Sequence, residues 1–221
     1  MLRKYLLYNA NQTNENSVSS KQRKKRFEYF KEYCSKLKKP LKIIDIGGSD
    51  YYWKSLGFNG DENFNIDIIN IEDQMTESFK NISFIKKDVR DLGFIKDKEY
   101  DLVFSNSMIE HLRSFEEQKK LAKEIRRVGK NYFIQTPNYY FPVEPHFLLP
   151  FFQFLSDDMK TKLVNKFDLG WFKKQTDIVK AKELATSVNL LKEKDLKKLF
   201  PDCKIYREKY LFLNKSFIAH N

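Results

Sequence analysis

The chain has 221 residues, of which 41% are hydrophobic and 15% aromatic, and its net charge at neutral pH is +11. This length suits one large α/β domain with a small appendage, and the composition excludes an intrinsically disordered protein. The positive charge favours contact with nucleic acid, anionic lipid or an acidic substrate, but it identifies none of them.

The two cysteines, Cys34 and Cys203, lie far apart and have neither a CxxC nor a Cys/His spacing. They therefore predict neither a zinc site nor a disulfide framework, and we expect no metal. No uncharged apolar run reaches transmembrane length, and the N-terminal residues do not follow the signal-peptide pattern. These features predict a cytoplasmic protein without a transmembrane segment.

The first 20 residues predict a flexible leader, because the stretch 9–20 is rich in Asn, Ser and Thr. The segment 21–39 has its apolar residues at helical spacing, and Pro40 ends that helix. We interpret its many Lys and Arg residues as a solvated face, with RNA or an anionic membrane as the alternative partner. The apolar face consists of Phe27, Phe30, Tyr33, Cys34 and Leu37.

A series of short apolar strands then alternates with helices. The first strand is the aliphatic run in LKIIDIGG (41–48), and further strands are predicted over 64–71, 82–88, 100–107 and 131–137. Helices are predicted over 114–129 and 52–56, with a short one around 74–80. This alternation is typical of a parallel, doubly wound sheet.

The C-terminal part predicts two additions to this sheet. A helix over 192–201 precedes two extended runs, 203–210 and 211–220, which suggest an antiparallel edge strand. The proline- and aromatic-rich region 139–191 interrupts the alternation and predicts a helical cap or lid. We therefore expect an α/β fold with a Rossmann-like, mostly parallel sheet, in which residues 21–221 form one domain with the cap inserted.

Polar or glycine residues follow the predicted strands at their carboxyl ends, where open parallel sheets bind ligands. The ordered motifs DIGG, FSNSMIEHL, RRVGKNYFIQTPN and FPVEPHF resemble the class I S-adenosylmethionine-dependent methyltransferases, over 41–138 and in the C-terminal strand pair. The resemblance implies S-adenosylmethionine as the cofactor. It places Asp45, Gly47 and Gly48 at the methionine end, Asp67 or Asn70 at the ribose, Asp88 and Val89 at the adenine, and Asn106 near the methionine.

The glycine motif departs from the family pattern Asp-x-Gly-x-Gly-x-Gly, because Ser49 and Tyr51 replace its second and third glycines. A non-glycine residue in a left-handed conformation costs about 1 to 2 kcal/mol, which predicts an altered loop path or a weaker affinity for the cofactor. Tyr51, Tyr52 or Trp53 would offset such a loss through a cation–π contact with the sulfonium, although at least two of them are expected to pack the following helix.

Methyl transfer from a sulfonium requires alignment and, for some acceptors, one base. His111 follows the fourth strand, and His146 lies between prolines with Glu144 nearby. These three residues are the predicted catalytic candidates, with a simple structural role for each as the alternative. The predicted function is methyl transfer to an oxygen or nitrogen of a small-molecule or saccharide-like acceptor; the alternatives are a non-catalytic binding protein with this fold and an RNA methyltransferase.

Overall fold

A computed structural model describes residues 2–11, 14–58, 60–72 and 80–221. The helices α1 to α7 span Leu2–Ala10, Val18–Ser35, Asp50–Ser55, Phe115–Val128, Asp157–Lys166, Ile178–Ala185 and Glu193–Leu199. The strands β1 to β9 span Leu41–Ile46, Phe64–Asn70, Ile82–Lys86, Tyr100–Asn106, Gly129–Pro137, Val143–Glu144, Leu149–Pro150, Lys204–Tyr210 and Leu213–His220. Short 3-10 helices cover Ile109–His111 and Phe152–Phe154. Among these described segments, none of the helices has the length and apolar character needed to cross a membrane.

Seven strands form one twisted sheet in the order β3-β2-β1-β4-β5-β9-β8. The first five run parallel to one another, whereas β9 is antiparallel to both β5 and β8. The predicted Rossmann-like sheet with an antiparallel edge is therefore confirmed. Because β1 and β4 are neighbours, their carboxyl ends meet at the middle of the sheet, which is where such sheets bind ligands.

The sheet is covered on both faces because its central strands are apolar on both sides. In β1, Ile43 packs with α2 and α3, whereas Ile44 and Ile46 pack with α4 and α7 on the opposite face. Continuous burial of this kind is characteristic of parallel strands between two helical layers. It places the last residues of β1 between the two layers, directly below the candidate site.

Helix α4 begins and ends close to its predicted limits. Ser114 caps it by accepting a hydrogen bond from the Glu117 amide at 3.2 Å. Gly129 is the C-cap of α4, has an extended backbone with a φ of −101°, and begins β5. A Cβ atom at Gly129 would lie 2.5 Å from Cγ2 of Val103, so this glycine permits close packing against β4.

The N-terminal segment differs from the predicted flexible leader. Helix α1 covers part of it, and Ser17 caps α2 by accepting a hydrogen bond from the Ser20 amide at 3.0 Å. The predicted solvated face of α2 is also wrong in part, because Arg23 is buried and the Arg26 side chain is only 11% exposed. The helix suggested around 74–80 falls largely on residues 73–79, which lie outside the described ranges.

The predicted cap forms a small unit with its own core. Strands β6 and β7 make a separate hairpin, and α5 packs against α6. Gly170 has a φ of +51°, and a Cβ atom there would lie 2.6 Å from the carbonyl oxygen of His146. The cap segment at Gly170 therefore packs closely against the backbone of the loop that carries His146. Its buried residues are Phe147, Phe152, Val164, Leu169, Ala181 and Ala185.

We predict that Phe30→Ala lowers the free energy of unfolding by about 3 to 5 kcal/mol, because it leaves a cavity in the densest aromatic part of the core. The Phe30 ring is 1% exposed, and its centroid lies 5.0 Å from that of Phe104 and 5.2 Å from that of Phe133. Urea unfolding measures the change. Phe212→Ala is the matched control, because Phe212 is 94% exposed and its loss should cost less than about 0.5 kcal/mol. Equal losses in the two variants would contradict this assignment of the core.

Candidate active site

Two cavities lie at the carboxyl ends of the parallel strands. The larger, of about 640 Å³, is enclosed by α1, α2, the ends of β1, β4 and β5, and the cap. The smaller, of about 440 Å³, is lined by residues that follow β2, β3 and β4. Gly47 and Ser107 line both cavities, so the two spaces meet at the end of β1. An elongated ligand would reach from one to the other across this glycine.

The predicted glycine turn separates the two cavities, and it requires glycine at both positions. Gly47 has a φ of +75°, and a Cβ atom there would lie 2.4 Å from Cγ of Met108. A Cβ atom at Gly48 would lie only 1.8 Å from Oδ2 of Asp45. The turn therefore passes directly over a buried carboxylate and leaves its backbone open to a ligand.

The departures from the family glycine pattern do not strain the backbone. Ser49 has an extended φ of −146°, and its Oγ accepts a hydrogen bond from the Tyr52 amide at the start of α3. Tyr51 lies within α3 itself, so neither residue adopts the left-handed conformation that would favour glycine. Tyr52 and Trp53 are buried in the core, as expected for two of the three aromatics, whereas Tyr51 is 42% exposed and lines the larger cavity.

Asp45 is buried at the end of β1 and lines the larger cavity. Its Oδ2 accepts a hydrogen bond from Nε1 of Trp53 at 2.8 Å. Its Oδ1 is buried and accepts no hydrogen bond from any residue that the structure describes. Burial raises the pKa of Asp45 to about 7, and the Trp53 bond opposes the rise only in part. A buried acceptor of this kind is stabilised by a donor that a ligand supplies.

The two alternatives for the ribose site occupy different places. Asn70 lines the smaller cavity, and its Nδ2 donates to the carbonyl of Gly48 at 3.0 Å, which ties the glycine turn to β2. Asp67 lies earlier in β2, where its Oδ2 accepts a hydrogen bond from the Tyr100 hydroxyl at 2.8 Å. Asp67 lines neither cavity, whereas Asn70 lines the smaller one, so the geometry favours Asn70 and the ribose contact stays a prediction.

The predicted adenine residues also line the smaller cavity. Asp88 accepts a bidentate hydrogen bond from Arg90, with a shortest distance of 2.6 Å, and this bond lowers the pKa of the Asp88 carboxyl. Val89 follows it and is buried against the core. The Met108 side chain completes the apolar wall opposite Gly47, and no pattern in the sequence marks this residue.

Asn106 belongs to a polar network that was not expected from the sequence. Its Oδ1 accepts a hydrogen bond from Nη1 of Arg26 at 2.6 Å. Arg26 also donates to both oxygens of Glu208, at 2.8 and 2.9 Å, and Ser216 donates to the same carboxylate. Burial favours loss of the Arg26 charge, but Glu208 outweighs it and raises the pKa of Arg26. The network joins α2, β4, β8 and β9 along one wall of the larger cavity.

Two further cations line that cavity. Arg23 donates to Oγ of Ser55 at 3.0 Å and lies over the Tyr52 ring. Lys215 lies on β9, and burial, together with the nearby Arg26, lowers its pKa. One sequence signal for the arginines existed, because Arg23 and Arg26 precede Phe27 and Phe30 at helical spacing on the same apolar face. No comparable signal marks Lys215.

The three predicted catalytic residues come together behind the cavities. The His111 and His146 rings are perpendicular, with centroids 4.8 Å apart. Glu144 holds the loop by accepting from Nδ1 of His146 at 2.7 Å and from the Phe147 amide at 2.6 Å. His111 lines the smaller cavity, whereas Glu144 and His146 line neither of the two. Burial and the neighbouring His146 lower the pKa of His111 to about 4.

Glu110 lies next to this histidine pair and is fully buried. Its Oε2 accepts a hydrogen bond from Oγ1 of Thr136 at 3.0 Å. Its Oε1 has no hydrogen-bond partner among the described residues. Burial raises the pKa of Glu110, and the positive His146 opposes that rise. The site thus contains a second buried carboxylate with an unpaired oxygen.

Parts of this chain match a family model and curated proteins. Residues 45–132 match the family model described as a methyltransferase domain. An uncharacterized protein of Mycobacterium tuberculosis is 39% identical over 59 residues, which are 27% of this chain and 20% of that protein. The chain therefore spans about a fifth of the length of the curated relatives it matches.

Solved structures share the fold at low sequence identity. The CurJ carbon methyltransferase is similar over 95% of this chain and 56% of its own, with a TM-score of 0.61 and 13% identity. The magnesium protoporphyrin IX methyltransferase of Synechocystis, solved with bound S-adenosylhomocysteine, is similar over 99% of this chain and 91% of its own, with a TM-score of 0.56 and 15% identity. A methyltransferase of Methanosarcina mazei gives a TM-score of 0.52 at 16% identity, over 83% of this chain and 92% of its own.

The buried Asp45 carboxyl predicts a specific pH dependence of stability. Its pKa is higher in the folded state, about 7, than the ordinary value of 3.8, so the folded protein binds the extra proton. The stability that the protonated Asp45 carboxyl contributes is therefore fully present below its ordinary pKa of 3.8 and is lost as the pH rises through 7. Asp45→Asn removes this titration. As the pH rises from about 5 to about 8, the free energy of unfolding of the variant, relative to that of the wild type, should therefore rise by at least about 1 kcal/mol.

Urea unfolding at the two pH values measures this difference. Asp91→Asn is the control for loss of one carboxylate, because Asp91 is exposed. Its free energy of unfolding should stay parallel to that of the wild type across the same range. If the free energy of unfolding of Asp45→Asn also stayed parallel to that of the wild type, Asp45 would already be ionised in the folded protein at about pH 5.

Proposed function

We propose that this chain, a member of the class I S-adenosylmethionine-dependent methyltransferases, binds S-adenosylmethionine across the two cavities and transfers its methyl group to an oxygen or nitrogen of a small acceptor. A saccharide-like molecule is one such acceptor. The observation that carries the proposal is the meeting of both cavities at Gly47, next to Gly48, which passes over the Asp45 carboxylate. The Oδ1 of that carboxylate has no hydrogen-bond partner among the described residues. The larger cavity, of about 640 Å³, has the size of a small-molecule site.

The chemistry of the residues fits the cofactor. S-adenosylmethionine carries a cationic ammonium group at its methionine end, which complements a buried carboxylate such as Asp45. Gly47, Gly48 and Asn106 would hold that end, because they line the larger cavity beside Asp45. When bound, the cofactor supplies an activated methyl group on a cationic sulfur.

The adenosine end is assigned to the smaller cavity. Asn70, Asp88 and Val89 would hold it there, with Met108 as the apolar wall. Asp67 takes no part, because its carboxylate is bound by Tyr100 outside both cavities. In this arrangement the sulfur would lie near Gly47 and Ser107, where the two cavities join.

The protein contributes mainly alignment to methyl transfer, because the leaving group needs no further activation. The cap closes the larger cavity through Phe141, Val143, Leu148 and Trp171, which would exclude water from the acceptor. Of the three predicted catalytic residues, His111 is the one that lines either of the two cavities at the strand ends, so it is our candidate for contact with the reactants.

We predict that the purified protein binds S-adenosylmethionine and S-adenosylhomocysteine and that Gly48→Ala weakens this binding at least about tenfold, or about 1.4 kcal/mol. The added Cβ would lie 1.8 Å from the Asp45 carboxylate, so the turn or the carboxylate must move. Titration calorimetry measures the affinity. Gly93→Ala is the matched control, because a Cβ atom there meets only Oδ1 of Asp91, at 3.7 Å.

Asp45→Asn tests the same assignment without adding volume, and it should also weaken binding. A folded wild-type protein that binds neither ligand would refute the enzyme proposal and would favour a binding protein built on this fold. Equal affinities in the wild type, Gly48→Ala and Asp45→Asn would place the cofactor elsewhere in the protein.

The charge of the larger cavity favours an anionic acceptor. Glu208 is occupied by the bidentate bond from Arg26, so these two charges compensate each other. Arg23 and Lys215 add positive charge to the same wall, and Asp45 is the acidic residue opposite them. A carboxylate or phosphate on the acceptor would therefore be attracted into the cavity and oriented there.

We predict that acidic small molecules raise the thermal unfolding midpoint of the protein saturated with S-adenosylhomocysteine more than their neutral amide or ester analogues do. Lys215→Gln should remove most of that difference. Lys209→Gln is the control, because Lys209 lies on β8 with its side chain exposed. A preference for neutral analogues, or an unchanged acid preference in Lys215→Gln, would contradict the anionic acceptor.

A further inference from the structure

A compact group of potential metal ligands lies beside the smaller cavity. Glu110, His111 and His146 each offer one ligand atom, and all three atoms lie within 4.8 Å of one another. Donors bound to one zinc ion at about 2.0 to 2.2 Å lie roughly 3.4 Å apart in tetrahedral geometry, so a small closure would complete the site. The chain order does not suggest this group, because His146 lies 35 residues after His111.

The orientation of His146 is fixed by a second carboxylate. Glu144 accepts from Nδ1 of His146 at 2.7 Å, which leaves Nε2 for another partner. A carboxylate bound to one histidine nitrogen while the other nitrogen binds a metal is a common arrangement around zinc. The loop itself is fixed, because Glu144 also accepts from the His146 and Phe147 amides and Gly170 packs against the His146 carbonyl.

Glu110 supplies an independent indication of a missing cation. It is fully buried, and Thr136 satisfies only one of its carboxylate oxygens. The other oxygen, Oε1, is buried without a partner in the described part of the chain. A buried carboxylate is costly unless a cation or hydrogen bonds compensate it. A metal ion beside the two histidines would provide that compensation.

We propose that Glu110, His111 and His146 bind a divalent transition-metal ion, with Zn²⁺ preferred over Mg²⁺. Two imidazoles and one carboxylate suit zinc and its neighbours, whereas magnesium favours oxygen ligands alone. His111 ends a short 3-10 helix whose other two residues are buried, and it lines the smaller cavity, so it gives the ion a route of entry and is the ligand best placed to move the short distance that closure requires. Three protein ligands leave a coordination position for water or for an oxygen of a bound molecule.

This assignment gives the three predicted catalytic residues a different role. His111 and His146 would use a ring nitrogen to bind the ion, so they would not act as bases, and Glu144 would act as a positioning residue for His146. The site does not depend on methyl transfer, because it is built from residues that the protein holds together without a cofactor.

The test measures metal binding by the full chain after treatment with a chelator and in the absence of S-adenosylmethionine. Zn²⁺ affinity is measured by competition with a chromophoric chelator, and Co²⁺ is used as a spectroscopic probe of the ligands. We expect one Zn²⁺ per chain, a visible Co²⁺ absorption that Zn²⁺ abolishes, and no competition by Mg²⁺. Glu144→Gln should weaken Zn²⁺ binding about 10- to 100-fold, and His111→Ala more than about 100-fold.

His220→Gln and Glu116→Gln are the matched controls. His220 is bound to the Tyr29 hydroxyl at 2.7 Å on the last strand, and Glu116 is exposed on α4. Both should retain the wild-type Zn²⁺ affinity and Co²⁺ spectrum. His111→Ala decides the question even if a Glu110 variant does not fold, because His111 is the least buried of the three ligands.

Zn²⁺ affinity that is unchanged in His111→Ala would overturn the proposal, as would the absence of a Co²⁺ spectrum in the wild type. Calorimetry with S-adenosylhomocysteine on the same samples separates this result from failure of the proposed function. A wild-type protein that binds S-adenosylhomocysteine but no Zn²⁺ overturns the metal site alone, whereas a wild-type protein that binds Zn²⁺ but no S-adenosylhomocysteine leaves the metal site standing.

Discussion

The Asp45 carboxylate at the end of β1 is the constraint on which the geometry of the site depends. It lies below the glycine turn and accepts its hydrogen bond from Trp53, so it joins the central strand to the first turn of the helical layer above. Gly48 must be glycine because this carboxylate occupies the space of a side chain. The unpaired oxygen costs stability in the free protein, and that cost becomes an attraction for a cationic ligand.

A second constraint holds the walls of the larger cavity together. Arg26 connects α2 with Asn106 at the end of β4 and with Glu208 on β8, so one guanidinium joins segments far apart in the sequence. Buried ion pairs of this kind contribute little net stability, but they fix geometry strongly because either charge alone would be costly. The network therefore favours one shape of the cavity, while Lys215 and Arg23 set its positive charge.

The sequence predicted the sheet well because parallel strands with both faces buried are continuous apolar runs, and the glycines and polar residues at their ends follow from chain order. It predicted the site less completely. Asp67 and Asn70 are equally polar in the sequence, and the sheet order separates them, because β4 lies on the far side of β1 from β2 and brings the Tyr100 hydroxyl to Asp67. Lys215 lines the larger cavity and Glu208 binds Arg26 in its wall through pairing of β9 with β5 and β8, which local patterns do not reveal.

The two unpaired carboxylate oxygens indicate how charge is distributed around the site. Asp45 faces the larger cavity, where a cofactor with a positive charge would compensate it, whereas Glu110 lies behind the smaller cavity beside two histidines. Asp45 lines the larger cavity and Glu110 lines neither, so the two carboxylates do not face one common space. A separate cation at each carboxylate would compensate both, and the imidazole nitrogens at Glu110 make a metal ion the better partner there than an organic ammonium group.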